Sequence, residues 1–166
     1  MLKPIGRKSA RAGKVQFFIV ASKYNARYVD SMVRAARAEL SRAGAKKVEV
    51  VRVPGAFEIP IVASRLARIA TDNHLHAAGE VTAIICLGVI LRGATTHAEH
   101  IGTTVSQALM QIQLRYEVPV IHEVLLLENE QQARERCLGS KHNRGREAAQ
   151  TALVMAKIIE EAGAAL

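Results

Sequence analysis

Two uninterrupted apolar runs, VQFFIVAS (15–22) and VTAIICLGVIL (81–91), are the most pronounced hydrophobic features of the chain. Both are rich in β-branched residues and carry no charge, which is typical of strands buried on both faces of a parallel sheet. KVEVVRV (47–53) alternates apolar and polar positions up to a Pro-Gly turn, and VPVIHEVLLL (118–127) is again mostly apolar. These four segments are predicted to be strands.

Apolar residues at helical spacing follow each predicted strand. Gly44 is placed to end the first helix, and Pro60 fits the first turn of the second, where its missing N–H breaks no hydrogen bond. The apolar face of the first helix consists of Val29, Met32, Val33, Ala36 and Leu40. The predicted helical segments are residues 26–44, 59–70, about 96–116, 129–137 and 144–163.

The alternation of strands and helices predicts βαβ units and one parallel sheet. We therefore expect a three-layer α/β/α fold, a flavodoxin-like parallel sheet with helices on both faces. A length of 166 residues suits one domain, which we assign to residues 15–166. Residues 1–14 carry five lysines and arginines and no acid, and we interpret them as a basic, flexible N-terminal arm.

The net charge of +8 raises the question of an anionic partner. Part of that excess lies in the arm, and no basic stripe interleaved with aromatic residues follows it, so we do not expect nucleic acid to be the partner. Nor do we expect a secretory signal or a membrane span, since no apolar stretch has the required form. Cys86 and Cys137 match no metal-ligand or redox spacing, which favours a reduced, cytoplasmic protein.

Polar loops follow the predicted strands at residues 22–25, 54–58, 92–97 and 126–129. Open parallel sheets bind ligands at the carboxyl ends of their strands, so these loops form the candidate site. Two of these loops, 54–58 and 22–25, are ambiguous when each is taken alone. Glu58 lies between apolar neighbours and needs hydrogen-bond donors, which a ligand with hydroxyl groups can supply. Tyr24 is either a surface aromatic or a platform for a flat heterocycle.

The loop from Arg92 to His97 admits two interpretations. Thr96 and Glu99 fit a capping box, which explains the start of a helix without any chemistry. A helix N-terminus also favours a phosphate or carboxylate, and threonine hydroxyls and the loop backbone add donors for such an anion. His97 feels the helix dipole as a penalty on protonation, so we expect a neutral imidazole suited to proton transfer near pH 7.

Three residues later in the chain have default structural interpretations. His122, inside an apolar strand, is by default a core histidine with satisfied hydrogen bonds. Arg136 lies in the predicted short helix 129–137, and Arg144 begins the next predicted helix. Basic residues at such positions are by default part of a solvated face. Asn143, Arg144 and Gly145 together are typical of the start of a helix.

Taken together, the segments resemble the 6,7-dimethyl-8-ribityllumazine synthase family. The matching pieces are IVASKYN, VRVPGAFEIP, GVILRGATTHAEHI, VPVIHEV, ENEQQARER and NRGREAAQTALVMA, in the family's order, over roughly residues 15–160. The resemblance implies condensation of 5-amino-6-(D-ribitylamino)uracil with 3,4-dihydroxy-2-butanone 4-phosphate. The products are 6,7-dimethyl-8-ribityllumazine, phosphate and water, in the penultimate step of riboflavin biosynthesis. The resemblance implies no metal and no organic cofactor.

The resemblance also implies a role for each matching residue. His97 takes the place of the proton-transfer residue. Ala94 and Thr95 take the place of residues that bind the butanone phosphate, together with Arg136 of the adjacent subunit. Candidate supporting residues are Arg92, Thr96 and Arg144. The residues placed on the aminouracil are Tyr24, Ala56, Phe57, Glu58, Val89, Ile90, Leu91 and, from the next subunit, His122.

The resemblance further implies a homo-oligomer built on a pentameric ring. The short segment from Arg136 to Asn143 favours assembly of such rings into a sixty-subunit icosahedral shell. Riboflavin synthase is a candidate partner. Two departures keep an alternative open, because His122 stands where the family usually has Phe and Glu123 where it has a small residue. They motivate a lumazine- or flavin-binding paralogue with little or no turnover, and the basic arm motivates a third hypothesis, an assembly that packages nucleic acid or cargo.

Overall fold

A computed structural model of the chain describes residues 11–72, 81–140 and 142–164. The strands within these ranges are β1 (Val15–Ser22), β2 (Lys47–Val53), β3 (Val81–Leu91) and β4 (Val120–Leu127). The helices are α1 (Ala26–Arg42), α2 (Ile59–Asp72), α3 (His97–Tyr116), α4 (Glu130–Cys137) and α5 (Arg144–Ala164). A single 3-10 turn, Ala56–Glu58, precedes α2. Across these ranges no helix is both long and apolar enough to cross a membrane.

The strands form one parallel sheet in the order β2-β1-β3-β4. The two interior strands, β1 and β3, are the uninterrupted apolar runs, because their side chains are covered on both faces. The edge strand β2 is mostly half-buried or exposed, which explains its alternating sequence. The predicted three-layer α/β/α architecture with a flavodoxin-like parallel sheet is confirmed.

Two hydrophobic cores, one on each face of the sheet, hold the layers together. Helices α1, α4 and α5 pack on one face, and α2 and α3 pack on the other. Successive residues of β3 serve the two cores in turn, with Ile85 in the first and Ile84 and Cys86 in the second. Burial raises the pKa of the Cys86 thiol, so this side chain acts as a small hydrophobe, as its position in an apolar run predicts.

The predicted bounds agree with the observed ones to within a few residues. Strands β1, β2 and β3 have the predicted bounds, whereas β4 begins at Val120, two residues later than predicted. The reason is Pro119, which has no N–H to give to the sheet and pairs only through its carbonyl, accepting from Ile84 N at 2.8 Å. Helix α1 ends at Arg42, and Gly44 (φ +83°) supplies the left-handed residue beyond it.

The predicted arm falls mostly outside the described residues, since these begin at residue 11. The last part of the arm is packed against the domain. Ala12 is buried, and its N–H donates to the Ala43 carbonyl at 3.0 Å. For residues 1–10 the division into arm and domain stays a prediction.

Candidate functional site

The loops that the sequence singles out lie together at the carboxyl edge of the sheet. Ser22 pairs with Val53 at the ends of β1 and β2, and Leu91 pairs with Leu127 at the ends of β3 and β4. Because all four strands are parallel, the loops that leave these residues emerge on one side. The Arg92 N–H extends the pairing by donating to Leu127 O at 2.8 Å. This is the edge at which open α/β sheets bind ligands.

A cleft of about 360 Å³ lies between the 3-10 turn and the first two turns of α3. Its lining consists of Phe57, His97, His100, Ile101 and Thr104. The four residues from α3 recur at helical spacing and therefore share one face of the helix. Phe57 is 58% exposed, although a ring of this size is normally buried. An exposed aromatic ring beside two imidazoles indicates a binding site rather than part of the core.

The start of α3 differs from the predicted capping box. Thr96 has helical backbone angles (φ −72°, ψ 0°), whereas a capping residue is usually extended, and its side chain accepts no backbone hydrogen bond from the described residues. Glu99 pairs with Arg92 instead of returning to the Thr96 backbone. The capping-box prediction is therefore wrong. The first N–H groups of α3 remain available to an anion, apart from a long contact of 3.5 Å between His97 N and Thr95 Oγ1.

Arg92 links the start of α3 to the end of β4. Its Nη2 lies 2.7 Å from Glu99 Oε1, and its Nε lies 3.0 Å from Glu128 Oε2. Two carboxylates therefore pair with one guanidinium, and these contacts fix the geometry of the loop. A supporting role for Arg92 toward a phosphate stays a prediction.

In the loop 54–58, the Glu58 carboxylate has a hydrogen-bond donor within the loop itself. Glu58 Oε2 accepts the Gly55 N–H at 2.8 Å. A backbone amide therefore supplies one of the hydrogen-bond donors that the sequence predicts from a ligand hydroxyl. The Tyr24 ring lies against Gly55 and is 73% exposed. Tyr24 and Phe57 therefore both present exposed rings near this loop, while Ala56 is buried.

Asn25 positions the first loop of the candidate site, and the sequence motifs do not single it out. Its side-chain Nδ2 donates to the Val89 carbonyl at 2.8 Å, and its backbone is left-handed (φ +54°). The contact attaches the first loop to the end of β3, where Val89, Ile90 and Leu91 are predicted to meet the pyrimidine. An Asn directly before a helix is the sequence signal that could have found it, because Asn tolerates left-handed backbone.

His122 is not the core histidine that its apolar strand suggests. The side chain is exposed in the chain, and that default interpretation is wrong because β4 is an edge strand and only partly covered. Both ring nitrogens nevertheless have hydrogen-bond partners, as the default interpretation of His122 expects. Nε2 lies 2.7 Å from Ser106 Oγ on α3, and Nδ1 accepts the Val124 N–H at 3.1 Å.

Glu123 points to the opposite face of β4, toward α5. Its side chain is 16% exposed, and the nearest cation, Arg144 Nη1, is 3.8 Å away. Burial raises the pKa of Glu123 to about 7, although Arg144 and Arg136 act to lower it. Arg144 itself is shared, since the same Nη1 lies 2.9 Å from Glu147 Oε2.

Arg136, which the resemblance places on the phosphate of a neighbouring subunit, lies outside the cleft of its own chain. Arg136 is exposed in the last turn of α4, which packs in the layer of α1, across the sheet from α3. The structure thus places Phe57 and His97 in one cleft and adds His100, Ile101 and Thr104, whereas the other predicted site residues do not line this cleft. Among the described residues, no group of three or more His, Cys, Asp and Glu side chains is positioned to hold a metal ion.

Comparisons with known proteins agree on one family. Residues 14–160 match a family model described as 6,7-dimethyl-8-ribityllumazine synthase. A 6,7-dimethyl-8-ribityllumazine synthase of Stenotrophomonas maltophilia (strain R551-3) is 41% identical over 148 residues, which covers 88% of this chain and 90% of the relative. One of Xanthomonas campestris pv. campestris (strain B100) is 40% identical over 152 residues, which covers 90% and 93% of the two chains.

A solved structure of a de novo designed Rossmann fold protein aligns with a TM-score of 0.36 and 15% identity. The alignment covers 74% of this chain and 91% of the designed one. A likeness this loose carries no argument about function.

Proposed function

The chain belongs to the 6,7-dimethyl-8-ribityllumazine synthase family, and we propose that its reaction takes place in the cleft beside His97. The reaction condenses 5-amino-6-(D-ribitylamino)uracil with 3,4-dihydroxy-2-butanone 4-phosphate to 6,7-dimethyl-8-ribityllumazine, phosphate and water, the penultimate step of riboflavin biosynthesis. One observation carries the location: Phe57 and His97 line one cleft beside a helix N-terminus that the Thr96 side chain does not cap.

The butanone phosphate binds at the N-terminus of α3. Residues 92–97 are all exposed, so the loop and the first helical turn are open to a ligand. The free N–H groups and the positive end of the helix dipole favour a phosphate, and the Ala94 backbone and the Thr95 hydroxyl add donors. Arg136 of the neighbouring subunit supplies a cation for the phosphate, because the Arg92 guanidinium in this loop is already paired with Glu99 and Glu128.

His97 moves the protons. The aminouracil amine attacks the butanone ketone and one water leaves, then phosphate is eliminated, and finally the second amine attacks the remaining carbonyl carbon and a second water leaves as the ring closes. Each of these steps takes a proton from one atom and gives one to another. An imidazole exposed to both solvent and the cleft can exchange these protons with both.

The aminouracil occupies the aromatic half of the site. The exposed rings of Tyr24 and Phe57 can stack on a flat heterocycle, which supports this placement. Ala56, Glu58 and the end of β3 from Val89 to Leu91 complete the wall. His122 of the next subunit covers the ring from the other side.

The shared site requires a homo-oligomer, and we infer a pentameric ring. Arg136 lies across the sheet from the cleft of its own chain, which supports its contribution by a neighbour. Exposed apolar side chains on α2 and α3 provide a surface for such a neighbour: Ile61, Met110 and Leu114. Further assembly into an icosahedral shell, riboflavin synthase as a partner, and a cytoplasmic location, which the two free cysteines favour, belong to the same proposal.

A turnover measurement tests the proposal against the binding alternative. Purified protein mixed with both substrates should produce lumazine absorbance and phosphate together, faster than the same mixture without protein. A paralogue that only binds lumazine or flavin would bind the product and leave the spontaneous rate unchanged. That result would contradict the proposed function.

A further inference from the structure

The imidazole of His122 is hydrogen-bonded within its own chain through both nitrogens. Nδ1 accepts the Val124 N–H at 3.1 Å, and Nε2 lies 2.7 Å from Ser106 Oγ. The Ser106 hydroxyl in turn donates to the Gly102 carbonyl at 2.7 Å. This chain of contacts connects the edge strand β4 to the middle of α3.

The partners specify where the protons are. The Val124 amide is a donor, so Nδ1 carries no proton. The single proton of the Ser106 hydroxyl is used on Gly102, so Nε2 must carry a proton and donate it to Ser106 Oγ. His122 is therefore the neutral Nε2–H tautomer, assigned from its hydrogen-bond partners. A second proton on Nδ1 would face the Val124 N–H, and desolvation also lowers the pKa of His122, so both effects oppose the charged ring.

We propose that Ser106 is a positioning residue that fixes His122 as a flat, neutral surface for the pyrimidine ring of the substrate. The inference rests on the proposed function, in which His122 reaches the aminouracil of a neighbouring subunit. The His122 side chain is exposed, yet both of its nitrogens are engaged, so it offers a ligand its ring face rather than a hydrogen bond. A flat heterocycle packs against such a face.

The Ser106 hydroxyl is what distinguishes this arrangement from a free histidine. Without it, His122 keeps only the Val124 contact, and the ring can turn away from the orientation that Ser106 holds. The aminouracil would then lose part of its stacking surface, while the phosphate half of the site, built on residues 94–97, would be unchanged. Ser106 should therefore affect one substrate and not the other.

A set of single and double variants tests this selectivity. Ser106→Ala should raise the KM for the aminouracil by about threefold to tenfold, the effect of one net hydrogen bond, and leave the KM for the butanone phosphate unchanged. His122→Phe replaces the imidazole with a phenyl ring that cannot hydrogen-bond to Ser106, and its own aminouracil KM is the reference for the double variant. In the His122→Phe background, Ser106→Ala should then have no effect.

Thr151→Ala is the matched control. Thr151 Oγ1 makes the same type of bond to a carbonyl four residues earlier, that of Glu147 at 3.0 Å, but on α5 in the other layer. It should leave both KM values unchanged. An equal effect of Ser106→Ala with His122 and with Phe at position 122 would overturn the proposal, because Ser106 would then act on α3 alone.

A spectroscopic readout separates this inference from the proposed function. Solid-state ¹⁵N spectra of the full assembly labelled at histidine should show, at pH 7, a neutral Nε2–H signal that is lost in His122→Phe. In Ser106→Ala that signal should shift or broaden. A charged or Nδ1–H ring in the unaltered protein would sink the inference even with full turnover. Absence of turnover with the expected spectrum would instead count against the proposed function.

Discussion

Gly145 at the start of α5 lies so close to α1 that a Cβ built on it would come within 2.0 Å of the Met32 carbonyl oxygen. The obstacle is backbone, which has no rotamer to move into. Asn143 fixes the same point by accepting the Gly145 N–H at 3.0 Å and by donating to the Cys137 carbonyl at the end of α4. The sequence Asn143-Arg144-Gly145 is typical of the start of a helix, and the close packing of α5 on α1 explains why glycine stands there.

Gly145→Ala should therefore destabilise the protein. We expect the free energy of unfolding to fall by about 1–3 kcal/mol, as for other overpacked positions, in urea denaturation followed by circular dichroism. Gly163→Ala is the control on the same helix, because a Cβ there meets nothing within 4 Å. That change should not lower stability, because alanine has the higher helix propensity and Gly163 lies in the last turn of α5. Similar losses in both variants would contradict the steric argument.

The strands were predictable because interior and edge strands of a parallel sheet leave different local patterns. The run 81–91 is apolar almost throughout because β3 is covered on both faces. A strand of this type can be identified without knowing which strands it pairs with. The start of β4 was not located correctly, since Pro119 limits pairing in a way that hydrophobicity does not report. The default prediction of a core His122 is wrong for a different reason, because an apolar run does not reveal that its strand lies at an edge of the sheet.

The candidate site was predictable where one loop carries the chemistry and not where distant loops meet. His97 and Phe57 stand in conspicuous motifs, and the cleft contains both. His100 and Thr104 enter the cleft only because α3 turns one face toward the 3-10 turn. The Asn25–Val89 contact joins residues 64 positions apart, and no local pattern encodes it.

His97→Ala should slow lumazine formation without abolishing it. Removal of one general acid–base group typically costs about 10² to 10⁴ in rate, while the substrates still meet in the cleft and react to some extent spontaneously. His142→Ala is the control, because this exposed histidine lies outside the cleft lining. Initial rates by lumazine absorbance check the prediction, and undiminished turnover in His97→Ala would remove His97 from the mechanism.

Arg136→Ala should weaken binding of the butanone phosphate much more than binding of the aminouracil. A charge-assisted hydrogen bond is worth about 1.5–3 kcal/mol, which corresponds to a rise in the phosphate KM of roughly 10- to 150-fold. Arg134→Ala, on the same helix, removes an exposed pair with Glu130 and should change neither constant. Equal losses for both substrates in saturation kinetics would count against the assignment.

Glu123→Gln should change the pH dependence of stability. Because burial raises the pKa of Glu123 from 4.5 to about 7, its stabilising contribution is complete below pH 4.5 and is lost as the pH rises through about 7. The variant should thus gain roughly 1–3 kcal/mol over the unaltered protein at pH 8 and gain little at pH 4.5. Urea denaturation at both values measures this difference. Glu49→Gln, an exposed carboxyl on β2, should show no pH-dependent gain.

A site shared between subunits predicts that two impaired variants repair each other. In a mixed assembly, an Arg136→Ala chain still supplies His97, and a neighbouring His97→Ala chain still supplies Arg136. That pair of chains builds one intact site, whereas no intact site can form if both residues must come from the same chain. Co-expression with two different affinity tags allows the mixed assemblies to be isolated.

Random mixing in equal amounts makes about one quarter of the sites intact, so turnover should rise to about a quarter of that of the unaltered protein. Turnover equal to the mean of the two variants would mean that each chain builds its own site. The mass of the same sample in solution at physiological salt adds the assembly state, with a shell of pentamers expected. An isolated pentamer would overturn only the shell, whereas a monomer would overturn the shared site, because Arg136 and His122 could then never reach the cleft beside His97.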